Sequence, residues 1–236
     1  MTEDNTDLKS RIDTLIQLMF DAQQIVIFTG AGISTDSGLP DFRGPDGVWT
    51  RKDKGLPPKD EGKDWSQSDP NIAHYAVYDL QELGKLSFLV SQNVDNLHLK
   101  SGIKFDKLAE LHGNVARMRC IRCDTTFPKD SAMTSCDCGG SLKSSVVHFG
   151  DSLPMQDLQD SFMYARNSDL FIVIGSSLVV TPAANIPVEA YENQAKLVII
   201  NAGETPLDQI AHLRFSEQIG DVFPPAVEKL KAMMVN

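Results

Sequence analysis

The chain has 236 residues, of which 42% are hydrophobic and 23% charged, as expected for a soluble globular protein with one large domain or one domain carrying a sizeable insertion. Its net charge of −10 argues against a general nucleic-acid binder, which should show a basic face. The apolar runs are too short to cross a bilayer, and the acidic amino end lacks a secretion signal. We therefore expect a cytoplasmic protein whose partners include neither a membrane nor a specific nucleic acid.

The first predicted elements are an amphipathic helix over residues 8–22 and a buried strand over residues 25–28. The strand ends in Gly30-Ala31-Gly32, where glycines allow a sharp turn and let an anionic group approach backbone N–H donors. Residues 34–37 (STDS) are good N-cap residues, so they predict the start of a helix whose positive end faces a pyrophosphate. Taken alone, this pattern is a weak signal for a dinucleotide site, and a tight turn between a strand and a helix is the more common explanation.

The next segment places an acid, an aromatic ring and a cation (residues 40–44, PDFRG) directly after this turn. Residues 49–70 show no periodicity and are rich in Lys, Asp, Gly and Pro, which predicts an irregular insertion ordered around Trp49 and Trp65. A helix is predicted over residues 71–83, with Gly84 just beyond its end. Further strands are predicted over residues 86–90, 169–174 and 196–200.

Four predicted strands end in small or amide-bearing residues, namely Gly30, Asn93, Ser176 and Asn201. Strands that alternate with helices favour an α/β fold, here a Rossmann-like, doubly wound parallel sheet. The carboxyl ends of such strands line one crevice where ligands bind. Although these residue types are also ordinary turn formers, four together favour a nucleotide site.

All four cysteines lie in one short span, as Cys120-x-x-Cys123 and Cys136-x-Cys138. In a cytoplasmic chain, two such pairs predict a structural site for one Zn²⁺ per chain, with a disulfide or redox pair as the alternative. Gly139-Gly140 would supply the tight turn that the C-x-C pair needs. We expect residues 1–48, 84–115 and 145–236 to form the Rossmann-like domain. Residues 49–83 and 116–144, a helical and loop module plus the zinc module, would form a smaller domain across a cleft.

Among the five histidines, His112 is the candidate general base because it precedes the cysteine span at the junction of the two predicted domains. His74 and His212 lie in ordinary surroundings that predict structural roles. His98 is expected in a helix or turn that supports the site.

These motifs resemble those of the sirtuin family of NAD-dependent protein deacylases. The resemblance rests on residues 30–44 (GAGISTDSGLPDFRG), 92–95 (QNVD), 111–113 (LHG), 175–177 (GSS) and the four cysteines, which stand in the family's order. Residues 47–50 (GVWT) and 146–150 (VVHFG) are most similar to the subgroup that includes a nuclear chromatin deacylase of animals. Residues 175–185 and 200–208 are more similar to bacterial and archaeal members, which implies a prokaryotic sirtuin.

The resemblance implies that His112 and Asn93 are catalytic and that NAD lies along the strand ends. Ser34 and Asn93 would then position a ribose or a catalytic water, while Gln92 binds the ribose. Ile33 and Asp95 would hold the carboxamide. The implied NAD-binding set is Gly30, Ala31, Gly32, Ile33, Ser34, Asp41, Phe42, Arg43, Trp49, Gln92, Asn93, Asp95, Gly175, Ser176, Ser177, Asn201, Gly203 and Val222.

Other roles implied by the resemblance concern the rest of the cofactor and the peptide. Residues 41–43 would form a flap over the reacting ribose, and Val222 would face the adenine. An acyl-lysine peptide would add as an extended strand between residues 147–150 and residues 178–180. The implied peptide-binding residues are Val147, His148, Phe149, Gly150 and Val179.

Two positions depart from the family pattern, since His148 replaces a hydrophobic or aromatic residue and Asn96 replaces the glycine after Asp95. The chain has no arginine between Arg51 and Arg117, which argues against removal of succinyl or malonyl groups. Acetyl and longer neutral acyl groups stay open. The main alternative is a protein mono-ADP-ribosyltransferase using the same site. A nucleotide-sensing zinc module without catalysis and an ordinary NAD oxidoreductase are weaker alternatives.

Overall fold

The computed structural model describes residues 3–44, 46–57, 65–148 and 150–235. Its main sheet has six parallel strands in the order β3-β2-β1-β7-β8-β9. In chain order these are β1 (Ile25–Thr29), β2 (Leu86–Ser91), β3 (Leu108–Glu110), β7 (Leu170–Ile174), β8 (Lys196–Ile200) and β9 (Leu213–Phe215). The order reverses between β1 and β7, as in the doubly wound sheets that bind dinucleotides at this point. The predicted fold class is therefore confirmed.

Side chains from alternate positions of the strands enter two separate cores, one on each face of the sheet. Ile25 and Ile27 of β1 join the first core, and Val26 and Phe28 join the second. The first core is covered by α1 (Glu3–Asp21), α3 (Ile72–Glu82) and α7 (Ile219–Val235), and the second by α5 (Met155–Asn167) and α6 (Asn185–Glu192). Because both faces are covered, the central strands are continuous apolar runs.

A second sheet is small and antiparallel. It consists of β4 (Arg117–Cys120), β5 (Thr126–Pro128) and β6 (Leu142–Ser144) in the order β5-β4-β6. Of residues 121–144, all of which are described, only Cys136 and Gly140 are buried. This segment therefore lacks an apolar core of its own.

The insertion after residue 48 has regular structure around Trp49 and Trp65, as the sequence pattern predicts. Short helix α2 (Val48–Asp53) occupies its beginning, and a 3₁₀ turn covers Trp65–Gln67. A one-turn helix, α4 (Leu97–Lys100), follows the predicted strand end at Asn93. Among the described residues, no helix is sufficiently long and apolar to cross a bilayer.

Candidate active site

The crevice lies where β1, β2 and β7 end, and glycines set its shape. A Cβ atom on Gly30 would lie 2.7 Å from the Gly175 carbonyl oxygen and 2.8 Å from the Ser176 Cβ. A Cβ on Gly32 would lie 2.7 Å from the Gly175 Cα. These glycines therefore let the loop after β1 pack directly on the loop after β7, where the Gly32 N–H donates to the Gly175 carbonyl oxygen over 2.9 Å.

Side chains from both neighbouring strands meet above the end of β1. The Ser176 hydroxyl donates to Gln92 Oε1 over 2.7 Å, although the two residues follow strands on opposite sides of β1. The absence of a side chain at Gly30 makes this bridge possible. Two of the predicted NAD-binding residues are thus brought together by the switch in strand order.

The residues predicted to cap a helix have a different conformation. Residues 31–37 form a 3₁₀ helix (Ala31–Ser37). The residue before it is Gly30, so no side chain caps its amino end. Ser34, Thr35 and Asp36 are therefore inside this helix and do not cap it. The predicted helix start at residues 34–37 is wrong, because the contact with Gly175 fixes the turn before those residues.

Ser34, Asn93 and Asp95 form a buried polar cluster beneath the crevice. Ser34 Oγ donates to Asp95 Oδ2 over 2.7 Å and accepts from Asn93 Nδ2 over 3.1 Å. His74 Nε2 lies 3.5 Å from the same hydroxyl. Asn71 caps α3, and its Nδ2 donates to the Ile33 carbonyl oxygen over 2.8 Å. The predicted carboxamide and ribose residues are thus packed against one another with fixed orientations.

A further pair of buried hydroxyls supports Asn93, and sequence reasoning missed both. Thr29 Oγ1 donates to Ser91 Oγ over 3.1 Å, and Ser91 Oγ accepts from the Asn93 backbone N–H over 3.1 Å. His98 Nε2 lies 2.9 Å from Thr29 Oγ1. Burial lowers the pKa of both His74 and His98 to about 3, so these rings are neutral at pH 7. His98 Nδ1 finds no partner among the described residues.

His112 lies beside this cluster and is half-buried. Its Nδ1 is 2.9 Å from the Gln92 carbonyl oxygen, which can only accept a hydrogen bond. The neutral ring therefore carries its proton on Nδ1, and Nε2 keeps the lone pair that a general base needs. Burial lowers the pKa of His112 below 6.5, and the bond to Gln92 opposes this shift.

The lowered pKa of His112 predicts where activity is lost in acid. A base works only when neutral, so turnover should be at its plateau at pH 8 and fall in acid with a midpoint below pH 6.5, as the imidazole takes up a proton. Steady-state rates measured at saturating substrate across this range will check it, with circular dichroism showing that the fold persists. An acidic limb centred above pH 6.5 would contradict the prediction.

Gly113 holds the loop that carries His112 against the start of the next segment. Its φ is +76°, and a Cβ atom there would overlap the Ser145 carbonyl oxygen. Two neighbouring bonds depend on this close approach. The Val147 N–H donates to the His112 carbonyl oxygen over 2.9 Å, and the Ser145 N–H donates to the Arg117 carbonyl oxygen over 3.2 Å.

Gly113→Ala should therefore destabilise the protein by about 3 kcal/mol or more, because it adds a backbone collision to the strain of a left-handed residue. Gly84→Ala is the matched control. Gly84 has a similar φ of +71°, but nothing lies within 4 Å of its Cβ position. We expect this control to cost about 1 kcal/mol. Urea unfolding of the two variants measures the difference, and equal losses would refute the role assigned to the Ser145 contact.

The predicted peptide-binding residues lie on two loops, and the first of them is bonded to the His112 backbone through Val147. Val147 is half-buried, whereas His148 and Gly150 are exposed. The His148 N–H donates to Asp151 Oδ2 over 3.1 Å. Phe149 lies outside the described residues. On the second loop Val179 is 50% exposed and follows Leu178, a buried residue with φ of +54°.

Residues 41–43, the predicted flap, are held against α2. The Val48 and Trp49 N–H groups donate to the carbonyl oxygens of Asp41 and Phe42, each over 2.9 Å. The rings of Phe42 and Trp49 lie 6.4 Å apart, and Phe42 is 38% exposed. Arg43 forms an exposed ion pair with Asp53 at 3.8 Å. Residues 41–43 thus form a surface loop bonded to a short helix.

The residues predicted for the adenosine end separate into two groups. Asn201 is half-buried at the end of β8, and its Nδ2 donates to the Gly203 carbonyl oxygen over 2.8 Å. Ser177 is half-buried beside Ser176. In contrast, Val222 has 0% exposure and packs in the first core. The structure therefore does not bring the Val222 side chain to the crevice, because it lies on the inner face of α7.

Two carboxyl groups, the buried Glu110 and the half-buried Asp157, lie near the loop that carries His112. Burial raises the pKa of Glu110 to about 7, while a hydrogen bond from Asn114 opposes the shift. Burial also raises the pKa of Asp157 to about 6, and the charge of Arg119 opposes it. Arg119 is itself buried, and its Nε has no partner among the described residues.

The four cysteines fit a tetrahedral zinc site. All four Sγ atoms lie within 4.8 Å of one another, with Cys120–Cys138 and Cys123–Cys136 at 3.5 Å. Zn–S bonds of about 2.3 Å place tetrahedral sulfurs about 3.8 Å apart, whereas a disulfide needs about 2.05 Å. Gly139 has φ of +77°, and a Cβ on Gly140 would overlap Cys120 Sγ. The glycine pair therefore makes room for the C-x-C ligands, and four thiolates suit Zn²⁺.

Comparison with known proteins supports one family. Residues 57–182 match the Sir2 family. Relatives named NAD-dependent protein deacetylase occur in Bradyrhizobium diazoefficiens (37% identical, covering 94% of this chain and 97% of the relative) and in Sulfurisphaera tokodaii (35% identical, covering 95% and 98%). The chain spans 45% of a related rice deacetylase and 50% of one from Arabidopsis thaliana.

Solved structures agree with this. A Sir2 enzyme from a structural study of mechanism and regulation aligns with a TM-score of 0.77 at 33% identity, covering 95% of this chain and 99% of that one. A Sir2 complex with a p53 peptide and NAD⁺ aligns with a TM-score of 0.73 at 33% identity, covering 94% and 99%.

Proposed function

The chain belongs to the Sir2 family, and we propose that it is an NAD-dependent protein-lysine deacetylase that releases nicotinamide and O-acetyl-ADP-ribose. One observation carries the proposal. His112, whose Nδ1 is held by the Gln92 carbonyl, keeps a basic Nε2 beside the strand ends where Ser34, Asn93 and Asp95 converge. A neutral base beside a crevice built for a dinucleotide suits chemistry at a ribose.

The proposed mechanism assigns each step to residues of this chain. Ser34, Asn93 and Asp95 hold the nicotinamide end of the cosubstrate, so that the acyl oxygen of the modified lysine attacks the anomeric carbon as nicotinamide leaves. His112 then takes a proton from a ribose hydroxyl, and that oxygen attacks the acyl carbon. Water releases the free lysine and O-acyl-ADP-ribose. No nucleophilic side chain is needed, which agrees with the placement of every cysteine in the metal cluster.

The other predicted site residues belong to this proposal. Gln92, Gly30–Gly32 and Ser176 would line the ribose and pyrophosphate, and residues 41–43 would close over them. The exposed Val179 and the half-buried Val147 offer two edges to an extended acetyl-lysine peptide. The backbone of such a peptide carries most of the bonding, so this site would read little of its sequence.

The acyl range is proposed to cover acetyl and longer neutral groups. An acidic acyl group needs a cationic partner, and the stretch between Arg51 and Arg117 contains no arginine. We propose a cytoplasmic location because four closely spaced cysteines hold a metal best in a reducing compartment. The division into a Rossmann-like domain (residues 1–48, 84–115 and 145–236) and a smaller domain is part of the same proposal.

Product analysis tests the function directly. The protein is incubated with NAD and acetyl-, myristoyl- or succinyl-lysine peptides, and nicotinamide and the ADP-ribose product are quantified by mass spectrometry. We expect nicotinamide and O-acyl-ADP-ribose in equal amounts with the neutral acyl groups, and neither with succinyl-lysine. ADP-ribose attached to protein would instead support the mono-ADP-ribosyltransferase alternative, which the names of the relatives do not favour.

A further inference from the structure

Asn114 is a fully buried amide whose polar atoms are all used. Its Nδ2 donates to Glu110 Oε1 over 2.5 Å and to Asn96 Oδ1 over 2.8 Å. Its Oδ1 accepts from the Ala116 N–H over 2.8 Å. Two donors and an acceptor, each with its own partner, leave the amide one orientation.

The partners of this amide lie on different parts of the site. Asn96 follows Asp95 in the loop that carries Asn93, and Glu110 lies two residues before His112 at the end of β3. The side chain of Asn114 thus ties the loop of the cosubstrate residues to the loop of the base. Asn114 and Glu110 are buried and Asn96 is half-buried, and a buried amide fixes geometry better than an exposed one because water competes less for its bonds.

The backbone of Asn114 makes a third connection. Its N–H donates to Ser145 Oγ over 3.0 Å, and Ser145 Oγ donates back to the Asn114 carbonyl oxygen over 2.8 Å. Two residues later the Val147 N–H reaches the His112 carbonyl oxygen. The predicted peptide-binding loop is therefore joined to the same residue.

Asn96 supplies the second acceptor for the Asn114 amide. Its φ is +68°, a left-handed conformation that glycine adopts freely and asparagine tolerates. Asparagine at this position keeps the required backbone conformation and adds the Oδ1 atom that Asn114 binds. A glycine there would leave one donor of the buried amide without a partner.

Resting on the proposed function, we propose that Asn114 is a positioning residue that holds His112 in register with Asn93 and with the bound peptide. Asn114 touches no reacting atom; it acts through Glu110, Asn96 and Ser145. Misplacing a catalytic group by about 1 Å costs on the order of 100-fold in rate, so a loosened register should be visible in turnover.

The test swaps the two sides of the Glu110–Asn114 bond. In Asn114→Asp, the new carboxylate lies against the carboxylate of Glu110, and the bond between them is lost. In the double variant Glu110→Gln/Asn114→Asp, the glutamine amide donates to the aspartate, so the donor and the acceptor have exchanged places. The readout is the rate of deacetylation divided by the rate of labelled-nicotinamide exchange into NAD, at pH 8. In the proposed mechanism, nicotinamide exchange precedes the proton transfer to His112, so a misplaced His112 lowers the rate of deacetylation more than the rate of exchange. Loss of folded protein lowers both rates equally and leaves their ratio unchanged. Asn167→Asp, an exposed amide on α5 that bonds the Met163 carbonyl, is the control.

We expect Asn114→Asp to lower this ratio about tenfold. The double variant regains the bond to residue 110 but still lacks the donor to Asn96, so it should recover the ratio in part, to about the level of Asn96→Gly. Asn96→Gly, which keeps a comfortable backbone, should lower the ratio in the same direction and covers the case in which Asn114→Asp does not fold. An unchanged ratio in Asn114→Asp or in Asn96→Gly, or a folded double variant that restores nothing, would overturn the inference.

A second readout separates this inference from the proposed function. The imidazole ¹⁵N signals of His112 should shift in Asn114→Asp and return in the double variant, whether or not the protein deacetylates. If wild type catalyses neither reaction, the proposed function fails. The NMR signals then still decide whether Asn114 positions the ring.

Discussion

Replacing His112 with alanine should lower the rate of deacetylation by about 10²- to 10⁴-fold, the range usual for a general base. The loss should appear in turnover more than in the KM for NAD, because the residues proposed to bind the cosubstrate keep their mutual bonds. Ser34 still bonds Asn93 and Asp95 in this variant, and Ser176 still bonds Gln92. Steady-state kinetics with an acetyl-lysine peptide measure both quantities.

His212→Ala is the matched control for this substitution. His212 is exposed, and its Nδ1 accepts a hydrogen bond from the Leu197 N–H near the amino end of β8. The crevice lies at the carboxyl ends of the strands, so His212 is at the other end of the sheet. Loss of that bond should reduce stability slightly and leave turnover within about twofold. Turnover of His112→Ala within tenfold of wild type would show that another group removes the proton.

The sequence was sufficient for the four long strands and for the side on which they end. Apolar β-branched runs identify β1, β2, β7 and β8, and the carboxyl-end rule then groups Gly30, Asn93, Ser176 and Asn201 at one edge. It was insufficient for β3 and β9, which have three residues each. A run of three residues shows no period, and its strand conformation depends on pairing with β2 or β8.

The site was less predictable where tertiary contacts decide local structure. Residues 34–37 have the composition of a helix cap, yet the packing of Gly30 and Gly32 on Gly175 places them inside a 3₁₀ helix. Val222 lies in a helix, α7. The periodicity of the sequence identifies the apolar face of this helix but does not show whether that face contacts the crevice or the core.

Buried polar residues were the most difficult to predict. Thr29, Ser91 and Asn114 look like ordinary strand and turn residues, and their roles depend on partners up to 69 residues away in the chain. The available signal was local, since Asn114 follows directly after the LHG motif. In the sequence Asn96 is only a departure from the family pattern, whereas the structure shows the bond from Asn114 that asparagine accepts there.

Removal of zinc should unfold residues 117–144 while the six-stranded sheet persists. Metal binding typically contributes about 10–16 kcal/mol of apparent free energy to such sites, and little else holds this segment. Of residues 121–144 only Cys136 and Gly140 are buried, so apolar burial offers no substitute. Cys136→Ser removes a buried ligand, and Asp137→Ser, an exposed neighbour in the same turn, is its control.

Limited trypsin digestion followed by mass spectrometry measures the effect, because five cleavable residues lie in the segment: Arg117, Arg119, Arg122, Lys129 and Lys143. We expect rapid cleavage at these sites in Cys136→Ser and in chelator-treated protein, and slow cleavage in wild type and Asp137→Ser. Of the two variants, only Cys136→Ser should lose its zinc, from one ion per chain to near zero. Activity should fall with it, since Ser145 and Val147, at the end of this segment, hold the loops of Asn114 and His112. Protection from trypsin in metal-free protein would mean that the three-stranded sheet holds itself together, and that the cysteine cluster has another purpose.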